Sequence, residues 1–322
     1  MSQCEYCGRT LLSTGAPGRW GSAADLAREL PEGPWRGEGA EKIRVGDRRV
    51  VVLGRLAEGD GCDVFLARSD SRLAELLLLK APRATEAEAH LTRGWRALER
   101  LQESEAQGAE FFSALLPQQV ALGRVGGAKG RLCGIYRYRS GFVHTFEDLL
   151  GEHRGGVDGK AIVWLWKRAL ELLGWVHQSG WVHGAVLPPH LLVHARDHGV
   201  TLVGWSAATP NGRAAKEPLP LTSETHRAFY PDAQWRGRPA TRASDLTMVA
   251  RCMLYALGGD LEARRVPSTV PAAISALLEA YLDDGGAGRT DDAWALKERV
   301  SEAGRAAYGP PRFNRLRMPG WT

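Results

Sequence analysis

The chain is mostly strand-like in texture up to about residue 140 and mostly helical after it. That single switch limits the fold more than any other feature. "RRVVVLGRL" and "CDVFLAR" are apolar, strand-like runs rich in valine and leucine, separated by the turn-forming "AEGDG". A third run, "LAELLLLKAP", ends at Lys80 and is closed by Pro82. "ATEAEAHLTRGWRALERLQ" carries Leu91, Trp95, Leu98 and Leu101 at helical spacing, with charges on the opposite face. "PQQVALGRV" and "RLCGIYRYR" then read as a hairpin through "GGAKG".

Beyond "RSG" helices take over. "HTFEDLL" opens on a Thr-x-x-Asp start signal, and "AIVWLWKRALELLGWVHQSG" is amphipathic with Gly180 as its C-terminal cap. On that helix Trp164 and Trp175 share a face, whereas Trp166 points away from it and marks a candidate partner surface. Two short strands, "HLLVHA" and "GVTLVGW", flank the turn "RDH", and three further helices follow a polar loop over 206–240. Strands first and helices second is an α+β layout in two lobes, a small β-rich one and a larger helical one. The expected divisions are an extension over 1–42, an N-lobe over 43–139, a C-lobe over 140–305 and a basic, Pro-rich tail over 306–322.

Composition narrows the class of function. A net charge of +5 over 322 residues permits an acidic partner but does not by itself call for nucleic acid. No apolar run reaches the about 18 residues of a membrane helix, so no membrane contact is expected. Five scattered cysteines point to a reducing cytoplasm rather than a disulfide framework. Cys4 and Cys7 form a Cys-x-x-Cys pair, yet a structural zinc needs four ligands and no second pair follows, so zinc is not expected. The tail mixes Arg312, Arg315 and Arg317 with Phe313 and Trp321; it either meets an acidic partner or nucleic acid, or lies back on its own lobe.

The order of these elements, and the motifs inside them, resemble the protein kinase-like superfamily of the bacterial serine/threonine type over about residues 43–305. "AEGDGCDV" stands where that family carries its glycine-rich loop, with Gly59 at the middle glycine and Val64 at the valine. Lys80, sixteen residues after Val64, matches the nucleotide-binding lysine. Its usual glutamate partner falls at Gly94, with Glu88 and Glu99 as substitutes only in a different register. The catalytic-loop motif reads His183, Gly184, Ala185, Val186, Leu187, Pro188, Pro189, His190, so the catalytic aspartate is Ala185 and the metal-binding asparagine is His190. The metal-binding aspartate of the Asp-Phe-Gly motif is Gly204.

Mg²⁺ wants carboxylate or phosphate oxygen, and neither alanine nor glycine supplies a ligand. By the same resemblance the framework persists. His183 and Trp205 stand in the internal spine and Leu191 and Leu192 under the adenine. Asp245 is the buried anchor of the catalytic loop, and Arg289 the late arginine whose usual glutamate partner falls at Ala233, with Asp232 one place away as a stand-in. The resemblance therefore implies a pseudokinase: a regulatory or scaffolding module for a protein partner, with ATP or another nucleotide held by Gly59, Val64, Lys80 and Leu192. The alternative is a kinase-fold phosphotransferase or nucleotidyl transferase in which His190 or Asp197 supplies the missing chemistry.

Overall fold

The computed structural model describes residues 41–72, 74–211, 218–283 and 288–318. Cys4, Cys7 and Trp321 lie outside the described residues.

Strands come first. β1 (Glu41–Val45), β2 (Arg48–Glu58), β3 (Cys62–Ser69) and β4 (Leu76–Pro82) precede helices α1 (Ala87–Gln102) and α2 (Ala109–Ser113), and β5 (Gln119–Arg124) and β6 (Leu132–Arg137) follow. They build one antiparallel sheet in the order β1-β2-β3-β4-β6-β5. Alternation along each strand sorts the side chains. Ala67, Leu77, Leu79 and Ile135 join Val45, Val50 and Cys133 in a buried cluster on one face. Leu66, Leu78 and Tyr136 stand in one row on the other.

The sheet curls until its outer strands meet. Val45 bridges to Val125, and the Gly46 N–H donates to the Arg124 carbonyl at 3.3 Å. Gly123 permits that approach, because a Cβ there would lie 2.6 Å from the Gly46 nitrogen. "EKIRV" has too few apolar residues to announce β1. The strand exists because its pairing with β2 carries Val45 into the enclosed face.

The second half holds β7 (His144–Thr145), α3 (Phe146–Glu152), α4 (Gly159–Gln178), β8 (Trp181–Val182), β9 (Leu191–His194), β10 (Gly199–Leu202) and β11 (Thr209–Pro210). Helices α5 (Asp232–Trp235), α6 (Arg242–Ala256), α7 (Ala272–Leu282) and α8 (Ala293–Tyr308) complete it. The chain is thus a curled antiparallel sheet followed by helices. α3 starts at a reciprocal cap: Thr145 Oγ1 accepts the Asp148 N–H at 3.3 Å, and Asp148 Oδ2 accepts the Thr145 N–H at 2.6 Å. α4 is released by Gly180, whose φ of +83° is open to glycine at little cost.

α4 is the hub of this half, touched by α6, α8, β8 and β10. Trp164, Trp166 and Trp175 are all at most 1% exposed, which corrects the expectation that Trp166 marks a partner surface. A helix that is apolar nearly all round is enclosed on every side, so no outward face is left for a tryptophan to display. The tail lies back on the helical half. Leu316 and Met318 are buried, and His153 Nε2 donates to the Arg317 carbonyl at 2.9 Å. Phe313 stacks on His198 at 4.6 Å, and the other face of His198 stacks on Trp164 at 4.1 Å. Among the described residues no helix is long and apolar enough to cross a membrane.

Candidate functional site

The site centres on the loop from His183 to His190, where the charge of Lys80 on β4 reaches His190. The loop is held from below by Asp245 in the first turn of α6, which is fully buried. Its Oδ2 accepts the His183 N–H at 2.8 Å and its Oδ1 the Gly184 N–H at 2.9 Å. His177 Nε2, from the last turn of α4, reaches Oδ2 at 3.0 Å. One carboxylate thereby ties α4, the loop and α6 together. His183 extends the chain of contacts: Nε2–H donates to the Val203 carbonyl at 3.0 Å, and Nδ1 accepts the Ala185 N–H at 3.3 Å. Those two bonds fix a neutral tautomer, and burial pushes the imidazole further from protonation. Trp205 meets the His183 ring edge-on at 4.6 Å while its indole N–H donates to the Leu202 carbonyl at 3.0 Å.

The other side of the loop is bare of acids. Ala185 is buried and offers only its backbone, whose carbonyl accepts His190 Nδ1–H at 2.8 Å. The His190 ring lies directly over Gly204, where any Cβ would collide with it. Gly204 also takes φ +81°, a conformation that strains a side-chain-bearing residue. The imidazole thus occupies the space a side chain at 204 would need. Burial, with help from His183 and Lys80, pushes its pKa down to about 3, so it is neutral at physiological pH. Among the described residues no carboxylate bonds to Lys80, to His190 or to the backbone at Gly204. Nor does any cluster of three or more His, Cys, Asp or Glu side chains there have the arrangement to hold a metal ion.

The sheet supplies the upper wall. Val64 on β3 lies opposite Lys80 on β4, and Lys80 lies opposite Gly134 on β6, so these residues share a face. Lys80 acts on the charge of both His190 and Cys62. Leu192, at the second position of β9, is half-buried and stands outside the hydrophobic clusters. Gly59 turns the β2–β3 hairpin: its N–H donates to the Cys62 carbonyl at 3.0 Å, and a Cβ would lie 2.9 Å from that oxygen. The hairpin tip is pinned, because the Arg83 N–H binds the Gly61 carbonyl at 3.0 Å and the Arg83 guanidinium pairs with Glu58 and Asp63.

Neither substitute glutamate serves Lys80. Glu88 binds Arg124 at 2.8 Å and the Leu132 N–H at 2.9 Å, and Glu99 accepts the Trp95 indole N–H at 2.7 Å. Gly94 instead lets α1 lie against the turn at Trp205, where a Cβ would come within 3.1 Å of the Ser206 nitrogen. A glycine in mid-helix costs about 1 kcal/mol relative to alanine, which is the signal in the sequence for such a close approach. Asp197 sits in the β9–β10 turn beside His194 at 3.4 Å. His190 and Gly204 are at the opposite end of that hairpin, about 13 Å away by strand rise.

The segment after β11 is fastened by residues that sequence reasoning missed. Arg251 on α6, 3% exposed, donates to the carbonyls of Ala228, Tyr230 and Leu282 at 2.5 to 3.1 Å. Its signal was a lone charge within the apolar run "TMVARCMLYA". Arg289 binds Thr247 Oγ1 at 2.6 Å and the Ala243 carbonyl, while Asp232 pairs with Arg264 at 3.7 Å. Ser223 Oγ meets His226 Nδ1 at 3.0 Å, and His226 Nε2 meets Glu147 at 2.8 Å. Ser223 is buried and only three residues from its histidine, so this array clamps the segment to α3 instead of presenting a nucleophile.

Comparison with models of known protein families and with curated proteins finds no match.

Proposed function

We propose that this chain is a pseudokinase, a two-lobed protein kinase-like molecule that acts as a regulatory or scaffolding module for a protein partner. The order of elements supports the kinase-like reading. So does the way Asp245, His183 and Trp205 converge on one loop. The observation that carries the loss of catalysis is the His190 ring lying on Gly204, with no carboxylate bonded to either residue. Phosphoryl transfer draws its rate from metal ions and positioned charge, and here the three positions that would supply them are Ala185, His190 and Gly204. Lys80 beside Val64 leaves a cationic, partly apolar wall suited to a nucleotide taken up without Mg²⁺. The transferase reading is weakened by a His190 that stays neutral and an Asp197 at the far end of its hairpin.

Thermal unfolding of the full chain with ATP, with and without Mg²⁺ and with EDTA, tests the proposal. The expected result is a concentration-dependent rise in Tm that is indifferent to Mg²⁺ and lost in Lys80→Ala. A rise that requires Mg²⁺, accompanied by transfer of label from the γ-phosphate, would overturn it in favour of the transferase. No rise at all would remove nucleotide and leave the scaffold role to be tested by partner capture.

A further inference from the structure

A cavity of about 380 Å³ opens far from the cleft, between α4, α8 and the tail that follows α8. The two helices run antiparallel. Lys160 lies over the Tyr308 ring at 5.9 Å at one end, and Lys297 lies 3.9 Å from Glu171 beyond the other. Between them the helices touch at Gly304, where a Cβ would sit 2.7 Å from Val163 Cγ1. The tail, held by the Phe313–His198 stack and by buried Leu316 and Met318, closes the top.

The charge of the lining is one-sided. Lys160, Lys167, Arg305 and Arg312 line the cavity and no carboxylate does. The nearby acids stand outside the lining, although Glu171 and Glu298 act on the charge of Lys167. Asp158 caps α4 at the Lys160 N–H, Glu171 pairs with Arg168 at 2.5 Å, and Glu298 pairs with Lys297 at 2.9 Å. Lys167 is 7% exposed, and burial together with Lys297 pushes its ammonium towards neutrality, a cost that an anion beside it would offset. Lys160 and Lys167 are two helical turns apart, about 10 Å by helix rise, so a ligand with phosphates spread along the seam meets both. Arg305 and Arg312 add planar, bidentate donors of the kind that recognise phosphate.

We propose that this cavity is a binding site for a compact oligophosphate, a ligand with at least two phosphate groups spread along the α4–α8 seam. The volume falls in the range of small-molecule sites, and the four cations set the ligand's charge. Because the roof is the tail, the bound ligand also locks the tail onto the helical half. The site is independent of the nucleotide cleft and of any pseudokinase role.

The test is a thermal-shift titration of the full chain with inorganic tripolyphosphate, against sodium sulfate at matched ionic strength. The expected result is a saturable rise in Tm for tripolyphosphate alone. The double variant Arg305→Glu/Arg312→Glu, which changes two exposed side chains, should weaken the response at least tenfold, and Lys80→Ala should leave it intact. A response equal in sulfate, a response lost in Lys80→Ala but kept in the double variant, or no response would each overturn the proposal. Flotation with phosphatidylcholine vesicles containing phosphatidylinositol bisphosphate separates the two sources of this chemistry. Co-flotation lost in the double variant assigns a lipid headgroup, and tripolyphosphate binding without flotation assigns a free oligophosphate; both uphold the site.

Discussion

The loop from His183 to His190 has two sides built to different rules. Towards α6 two backbone N–H groups and one imidazole nitrogen converge on the buried carboxylate of Asp245. On the other side Ala185 and His190 present a methyl group and a neutral imidazole, and the imidazole rests on Gly204. The first side is enclosed, so an unmet donor there is paid in stability. On the second side no carboxylate bonds to His190 or to the backbone at Gly204. Framework and chemistry can therefore part company within eight residues.

The largest expected effect tests the enclosed side. Asp245→Ala leaves three donors without an acceptor and should cost about 3–5 kcal/mol in urea unfolding. A cost below about 1 kcal/mol would break the comparison, since the carboxylate would then be no anchor. Next comes the contact on which the open side rests. Gly204→Asp forces a side chain into a left-handed position and against His190, and should cost about 2–4 kcal/mol. Adding His190→Asn should return at least about 0.5 kcal/mol in a double-mutant cycle, and purely additive losses would show that the ring does not fill that space.

Acid comes third. His190 has a folded pKa of about 3 against an ordinary 6.5, so below pH 6.5 the unfolded chain binds the proton that the folded chain refuses. Its contribution to stability is present above pH 6.5 and falls with pH, by about 2 kcal/mol at pH 5. His183, shifted in the same direction by burial, adds to that loss. Denaturant midpoints of wild type and His190→Asn between pH 7 and 5 check this: the variant should show the shallower decline, and parallel curves would contradict it. The smallest effect sharpens the contrast. Lys80→Ala, at a half-buried cleft position, should change unfolding free energy by no more than about 0.5 kcal/mol while abolishing any response to ATP.

Much of the architecture was legible along the chain. The β2, β3 and β4 runs, the helical spacing of Leu91, Trp95, Leu98 and Leu101, the cap at Thr145 and the stop at Gly180 are local signals, and the structure uses each of them. β1 was not legible, because five residues with two apolar positions form a strand only when a partner strand is present. Trp166 was misjudged because helical spacing tells which residues share a face but not whether a second layer covers the opposite one. In the site, the positions of Ala185, His190 and Gly204 could be read from a motif, whereas the seat of the His190 ring on Gly204 could not.

By itself the sequence determined the succession of strands and helices, their caps, and the absence of acids at Ala185, His190 and Gly204. These depend on residues near one another in the chain. Tertiary structure alone decided that Arg251 holds the segment after β11, that α4 is enclosed all round, and that the tail folds back to roof a cationic cavity. Each of those joins residues tens of positions apart, and whether a charge meets a carbonyl, a void or water depends on the packing of every layer between them.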